Sequence, residues 1–213
     1  MSKGRPWKCP FCGLAHTFDA AYPETRVRCV QCKQISDVPP PDTSETVIDL
    51  QIAGFGIIIY SPSSAAHIAE GENYYEKHYE FDVDVQRHIQ AGSIVGFGTG
   101  TAGDFMLDIR EGYPDREMID RSEFKLRLAI RNTDGCIIFR DIFSLLKWKP
   151  AVPESQVFRQ PAGIYHITLC SSTPRTRVLG DFQTIYVYFN RLEVFPRLGN
   201  VGVPHLCKFP DDP

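Results

Sequence analysis

Two cysteine pairs, Cys9-Pro10-Phe11-Cys12 and Cys29-Val30-Gln31-Cys32, create a C-x2-C-x16-C-x2-C spacing near the start of the chain. Each short pair lets two thiolates reach one ion from a tight turn. Two such turns held together complete a tetrahedral sulfur shell, the preference of structural zinc. Gly13 and Lys33 follow their pairs and suit both the turn and the thiolate charge. Four sulfurs leave no open position for a reacting water, so the expected cofactor is a structural Zn2+ on Cys9, Cys12, Cys29 and Cys32. A segment of about 30 residues cannot bury a core of its own, so metal binding would supply most of its folding energy. A redox thiol pair is the competing use, but nothing nearby reads as a βαβ unit.

The wording "CPFCG" and "VRCVQC" resembles the short zinc ribbons at the front of many bacterial proteins, which dock on nucleic acid or on protein. Charge leaves both options open. Residues 1–38 hold six bases against three acids, whereas the whole chain has a formal charge of −3, so a basic head precedes an acidic body. Lys8, Arg26, Arg28 and Lys33 are the residues that would meet phosphates if the head bound nucleic acid. A head that packs only on its own protein fits the same residues.

The second chemical candidate is "HYEFDVDV", His78 to Val85. Read as a strand, it turns Tyr79, Phe81, Val83 and Val85 to the core. His78, Glu80, Asp82 and Asp84 then share the other face. Three uses compete for that face: a solvated surface, an acidic patch for a basic protein partner, and a divalent-metal or acid–base site. No serine-nucleophile motif, H-E-x-x-H or P-loop supports the last.

A literal G-x-G-x-x-G occurs at Gly98, Gly100 and Gly103. A dinucleotide loop needs a helix after it, because the helix N-terminus supplies the amides that hold pyrophosphate. Here "DFMLDIR" follows, and its alternation reads as a strand. The glycines are therefore expected to form a hairpin connection. The remaining histidines read as isolated residues, and Cys136 and Cys170 as packed thiols within strands.

Those candidates must be positioned by a mostly β body. In 213 residues, with 43% hydrophobic and 23% charged, there is room for one ordinary globular domain and a small appendage. Period-two alternation marks Phe105–Ile109, Phe124–Ile130, Tyr165–Leu169 and Ile185–Phe189. Further strands are expected at residues 47–52, 55–60, 79–85, 93–97 and 136–139, with only short helices near 63–70, 86–90 and 141–147. The expected fold is mainly β, an antiparallel sandwich-like domain preceded by a small zinc ribbon. Its divisions are 1–36 for the ribbon, 37–46 for a proline-rich linker, 47–197 for the β domain and 198–213 for a tail. Part of that tail should dock, being too apolar for a free end. No signal peptide or bilayer-length apolar run is seen, and the odd count of seven cysteines suits a reducing cytoplasmic setting.

The order "FGIIIYSP", "GSIVGFGTGTAGDFMLDIREG", "FKLRLAIRNTDGCIIFRDI", "PAGIYHITL" and "TIYVYFN" resembles competence protein J, a family that inhibits a DNA-entry nuclease, and related immunity-type proteins. The matching steps are Gly98–Asp104, Gly135–Ile137 and Pro161–Tyr165, within residues 55–190 or so. The ribbon head, the acidic 70–84 segment and the tail depart from that pattern. The favoured expectation is a non-enzymatic protein that occludes a partner such as a nuclease or toxin, with Glu80, Asp82 and Asp84, read from the acidic segment itself and not from the resemblance, as the contact face. Alternatives are a nucleic-acid-binding regulator acting through the head and a metal-dependent hydrolase using the carboxylates. No membrane contact is expected.

Overall fold

The computed structural model describes residues 5–9, 11–18, 26–37, 46–200 and 202–206. Most of the proline-rich 37–46 segment, Cys207 and the last residues lie outside that set. The chain divides into two compact units, Met1–Ser44 and Glu45–Pro213.

The first unit is built from two antiparallel hairpins. One joins β1 (Arg5–Lys8) to β2 (Ala15–Phe18), and the other joins β3 (Arg26–Arg28) to β4 (Ile35–Asp37). Each hairpin is turned by one of the cysteine pairs.

The second unit is mainly β, with two antiparallel-dominated sheets. β5 (Thr46–Ile52), β6 (Gly56–Tyr60), β7 (Ile94–Gly98), β8 (Gly103–Glu111), β9 (Phe124–Asn132), β10 (Cys136–Asp141), β11 (Val157–Arg159), β12 (Gly163–Ser171) and β13 (Gln183–Leu192) follow in chain order. One sheet runs β11-β10-β6-β7 and the other β5-β8-β13-β12-β9. Every pairing is antiparallel except β8 with β13. Between the sheets lies the main core, in which Ile57, Ile59, Phe97 and Phe139 of the first sheet meet Leu107, Leu128, Ile167, Val187 and Phe189 of the second.

Two strands do not alternate, because both of their faces are covered. "GIIIY" and "IVGFG" are buried at every position. Their outer face packs under helices α1 (Tyr74–His78) and α2 (Asp82–Ala91), where Ile58, Tyr60 and Ile94 meet Tyr74, Tyr79, Val85 and Ile89. A strand enclosed on both sides loses its polar alternation. The body is thus three-layered along this part of the chain.

The expected strand at 79–85 is not formed. Asn73 caps α1 by accepting from the Glu76 amide at 3.2 Å, and α2 ends on Gly92 at φ 64. Val85 and Ile89, four apart, are the buried pair, so the period is helical rather than two. Asp82 and Asp84 fall in the first turn, where the helix dipole favours negative charge.

The glycine segment does run into a strand, β8, and into no helix. It is nevertheless no hairpin. β7 and β8 belong to different sheets, so Thr99–Ala102 carries the chain from one layer to the other. Gly103 is required there, since a Cβ would lie 2.2 Å from the Gly180 carbonyl oxygen that receives the Asp104 amide. The tail docks at the same place. The Gly98 amide donates to the Pro204 carbonyl at 2.8 Å, the Leu206 amide donates back to Gly98 at 2.9 Å, and Leu206 joins the main core.

Candidate metal centre and partner face

In each hairpin of the first unit the turn wraps around its first cysteine. The Cys9 amide donates to the Leu14 carbonyl and the Gly13 amide returns to Cys9; the Cys29 amide donates to Gln34 and the Lys33 amide returns to Cys29. The repetition extends to backbone conformation, with Gly13 at φ 75 and Lys33 at φ 61. Two equivalent knuckles therefore present their sulfurs to one point.

The Cys9 and Cys32 sulfurs are 3.6 Å apart, as are those of Cys12 and Cys29, and all four lie within 4.8 Å of one another. Zinc–sulfur bonds of about 2.3 Å in a tetrahedron put ligand sulfurs about 3.8 Å apart. The set fits one metal ion, and no other group of three or more such side chains converges this way among the described residues. Crowding sets the thiol chemistry. At Cys32 the Gln34 amide favours the thiolate, but burial and the thiols of Cys9, Cys12 and Cys29 push it up to about 12. At Cys12 the Leu14 amide favours the thiolate, but burial and the thiols of Cys29 and Cys9 leave it raised. Raised thiols such as Cys12 and Cys32 release their protons when a cation binds.

Of the basic head residues, two have described side chains. Arg28 and Lys33 are exposed, and Lys33 Nζ donates to the Val30 carbonyl at 2.7 Å. Lys8 and Arg26 lie on β1 and β3, and their side chains fall outside the described set.

The acidic trio is rearranged by the helix. Glu80 lies exposed in the α1–α2 connection, Asp82 opens α2 exposed, and Asp84 is half-buried against Arg87 at 2.5 Å. Asp82 and Asp84 diverge, being two positions apart on the helix, and Glu80 precedes it, so the three do not line up on one face; only Glu80 and Asp82 remain side by side and exposed. A carboxylate cluster for a catalytic metal is therefore not formed. What the turn does expose is apolar: Phe81 at 61% and Val83 at 55% stand outward beside Glu80 and Asp82.

Two solved structures are similar to this chain. ComJ, inhibitor of the DNA degrading activity of NucA, from Bacillus subtilis, aligns at 13% identity and a TM-score of 0.42, over 70% of this chain and 98% of its own. A protein titled Crocagin biosynthetic gene J aligns at 14% identity and 0.44, over 68% and 97%. No family model matches the chain, and no curated protein matches it. Likenesses this loose assign neither partner nor activity.

Histidines that look isolated in the sequence meet around Tyr74. Its hydroxyl lies 3.0 Å from His67 Nε2 and 3.3 Å from His88 Nε2, while His88 Nδ1 reaches Ser93 Oγ at 2.8 Å. The His78 ring lies tilted against Tyr74 with centroids 4.7 Å apart. Burial, then the charges of His67 and His78, drive His88 down to about 4. The sole sequence signal was the density of His and Tyr between residues 67 and 88; the convergence itself depends on helices that alternation concealed. Among the described residues no helix is long and apolar enough to cross a membrane.

Proposed function

We propose that the protein is a non-enzymatic binding module that occludes a basic catalytic partner, a nuclease or toxin, and that its head is a zinc ribbon serving as scaffold. One observation carries the reading: Glu80, Phe81, Asp82 and Val83 are four consecutive exposed residues that alternate acid with large apolar side chains. Charge steers and selects a basic partner, while an exposed aromatic supplies the anchor that a charged surface alone lacks. The contact face is thus Glu80, Phe81 and Asp82 with Val83, while Asp84 is engaged by Arg87. The strand phrases that resemble competence protein J suit the same class of partner. Cys9, Cys12, Cys29 and Cys32 hold the zinc, which supplies folding energy to the head and no chemistry.

The test is capture of the partner on the immobilised full chain, identification by mass spectrometry, and an assay of its DNA-degrading activity. Wild-type chain should suppress that activity. An E80K/D82K/F81A variant with unchanged circular dichroism should lose affinity by about 100-fold or more, the scale of a hot spot with its steering charges. Equal suppression by the variant, or capture of partners none of which loses activity, would refute the reading.

A further inference from the structure

Away from the acidic face, the outer side of the five-stranded sheet holds a cleft of about 590 Å3 between β9, β12 and the chain at 196–200. Its polar lining consists of Lys125, Arg127, His166, Thr168, Arg197 and Asn200, with no carboxylate among the lining residues. Among the described residues, neither Arg127 nor Arg197 makes an ion pair, and Lys125 Nζ donates only to the Ile119 carbonyl at 3.1 Å. On the same sheet Arg110 is neutralised by Asp108 at 2.7 Å, and Arg131 and Arg191 donate to the Ala91 and Ala162 carbonyls, outside this cleft. Here positive charge gathers in a concavity without compensation.

A second observation is independent of charge. Thr168 is 3% exposed, and its Oγ1 is the buried side-chain oxygen or nitrogen that lacks a hydrogen-bond partner among the described residues. A buried hydroxyl left unpaired is costly, and native proteins rarely keep one without a use. Thr168 stands on β12 directly across from Arg127 on β9, and its neighbours Ile167 and Leu169 point into the core. Its hydroxyl therefore belongs to the cleft side. The wall is fixed: Asn200 Nδ2 donates to the Arg127 carbonyl at 3.2 Å, and Tyr113 packs edge-on against His166 with centroids 5.5 Å apart. His166 is held below the usual histidine range by burial and then by the Arg127 charge, as expected where an anion would be welcome.

We propose that this cleft binds the phosphoryl group of a small organic phosphate monoester, with Thr168 Oγ1 donating to a phosphate oxygen and Arg127, Arg197 and Lys125 neutralising the dianion. A phosphoryl group suits the site better than a carboxylate because it carries up to two charges and takes donors from several directions. The volume falls within the range of small-molecule pockets. The cations ring one concavity instead of tracking along a surface, which favours a compact ligand over a nucleic-acid strand.

Inorganic phosphate is the probe, titrated into the full chain by calorimetry with the His166 ring followed by NMR. Binding should saturate, exceed that of acetate at equal ionic strength by at least 5-fold, and raise the pH at which His166 titrates. Arg127→Gln and Arg197→Gln should each weaken it at least 5-fold. Thr168→Val is the decisive variant: it removes an unpaired hydroxyl at nearly constant volume, so the melting temperature should hold or rise while phosphate affinity drops several-fold, and Thr168→Ser should restore it. Equal affinity for acetate and phosphate, an unchanged affinity in Thr168→Val, or much tighter binding of a single-stranded oligonucleotide would each overturn the proposal.

Discussion

The sulfurs of Cys9 and Cys32 stand 3.6 Å apart although 23 residues separate them in the chain. Each belongs to a different two-stranded hairpin, and isolated hairpins are marginal in water. A metal ion shared by these sulfurs is therefore expected to hold the head folded.

Elemental analysis should find one zinc per chain. A chelator, or Cys9→Ser, should collapse the dispersed amide signals of residues 5–37 while those of the β body persist, because the body's core is built from its own residues. Binding energies of structural zinc, roughly 10 kcal/mol or more, exceed what so small a unit supplies otherwise. A head whose NMR spectrum survives metal removal would contradict this.

Gly103 and Gly112 should respond differently to alanine. Both have positive φ, +152 and +81, but a Cβ on Gly103 would meet the Gly180 backbone at 2.2 Å, and one on Gly112 meets nothing within 4 Å. Gly112→Ala should cost about 1 kcal/mol from conformation alone. Gly103→Ala should cost several kcal/mol, because backbone must move. Urea unfolding midpoints distinguish the two, and equal losses would show that the crossing at Gly180 is not rigid.

Much of this arrangement was legible and some was not, for identifiable reasons. β9 shows alternation because Lys125, Arg127 and Arg131 on its outer face meet solvent, whereas β12 alternates in residue type although Thr168 and Cys170 on its outer face are buried. β6 and β7 do not, being enclosed on both sides, yet their apolar runs still marked them as strands. Residues 79–85 imitated a strand because Tyr79, Phe81, Val83 and Val85 alternate. The competing helical pair, Val85 and Ile89, straddled the end of that window, and two of the four expected core side chains are exposed. The cysteine spacing was informative because both knuckles are local. Thr168 facing Arg127 was not, because strand neighbours across a sheet have no mark in sequence.

Acid should weaken the body before its carboxylates protonate. His88 titrates near 4 when folded, driven down by burial and by His67 and His78, against an ordinary 6.5. A histidine with a depressed folded value stabilises the fold in its neutral form. That contribution is whole above about pH 6.5 and is lost as pH falls toward 4. Glu72, Glu123 and Asp134 are held below their usual range by Lys77, Thr173 and the Ser61–Ser63 segment, so their losses begin lower. His67 and His78 face the same cluster, with Tyr74, Glu72 and Asp84 nearby. Denaturation midpoints between pH 7 and 4.5 should fall in wild type and flatten in His88→Gln. Parallel curves would exclude His88 as the cause.

Arg140 is the buried cation of the body, 8% exposed, and among the described residues no carboxylate pairs with it. Its guanidinium lies 4.9 Å from the Trp148 ring centroid, donates to the Lys149 carbonyl at 2.8 Å and reaches Tyr60 Oη at 3.4 Å. A planar fork can stack and donate in two directions at once, which an ammonium cannot. Arg140→Lys should therefore destabilise the body by about 1–3 kcal/mol, despite keeping the charge. Tyr60 provides a second readout. Burial raises its hydroxyl above the ordinary range and Arg140 partly offsets that rise. In Arg140→Met the phenol should titrate higher still, followed by ultraviolet absorbance at alkaline pH. A lysine variant as stable as wild type would mean that charge alone, and not the stacked fork, holds the 148–149 corner against β6.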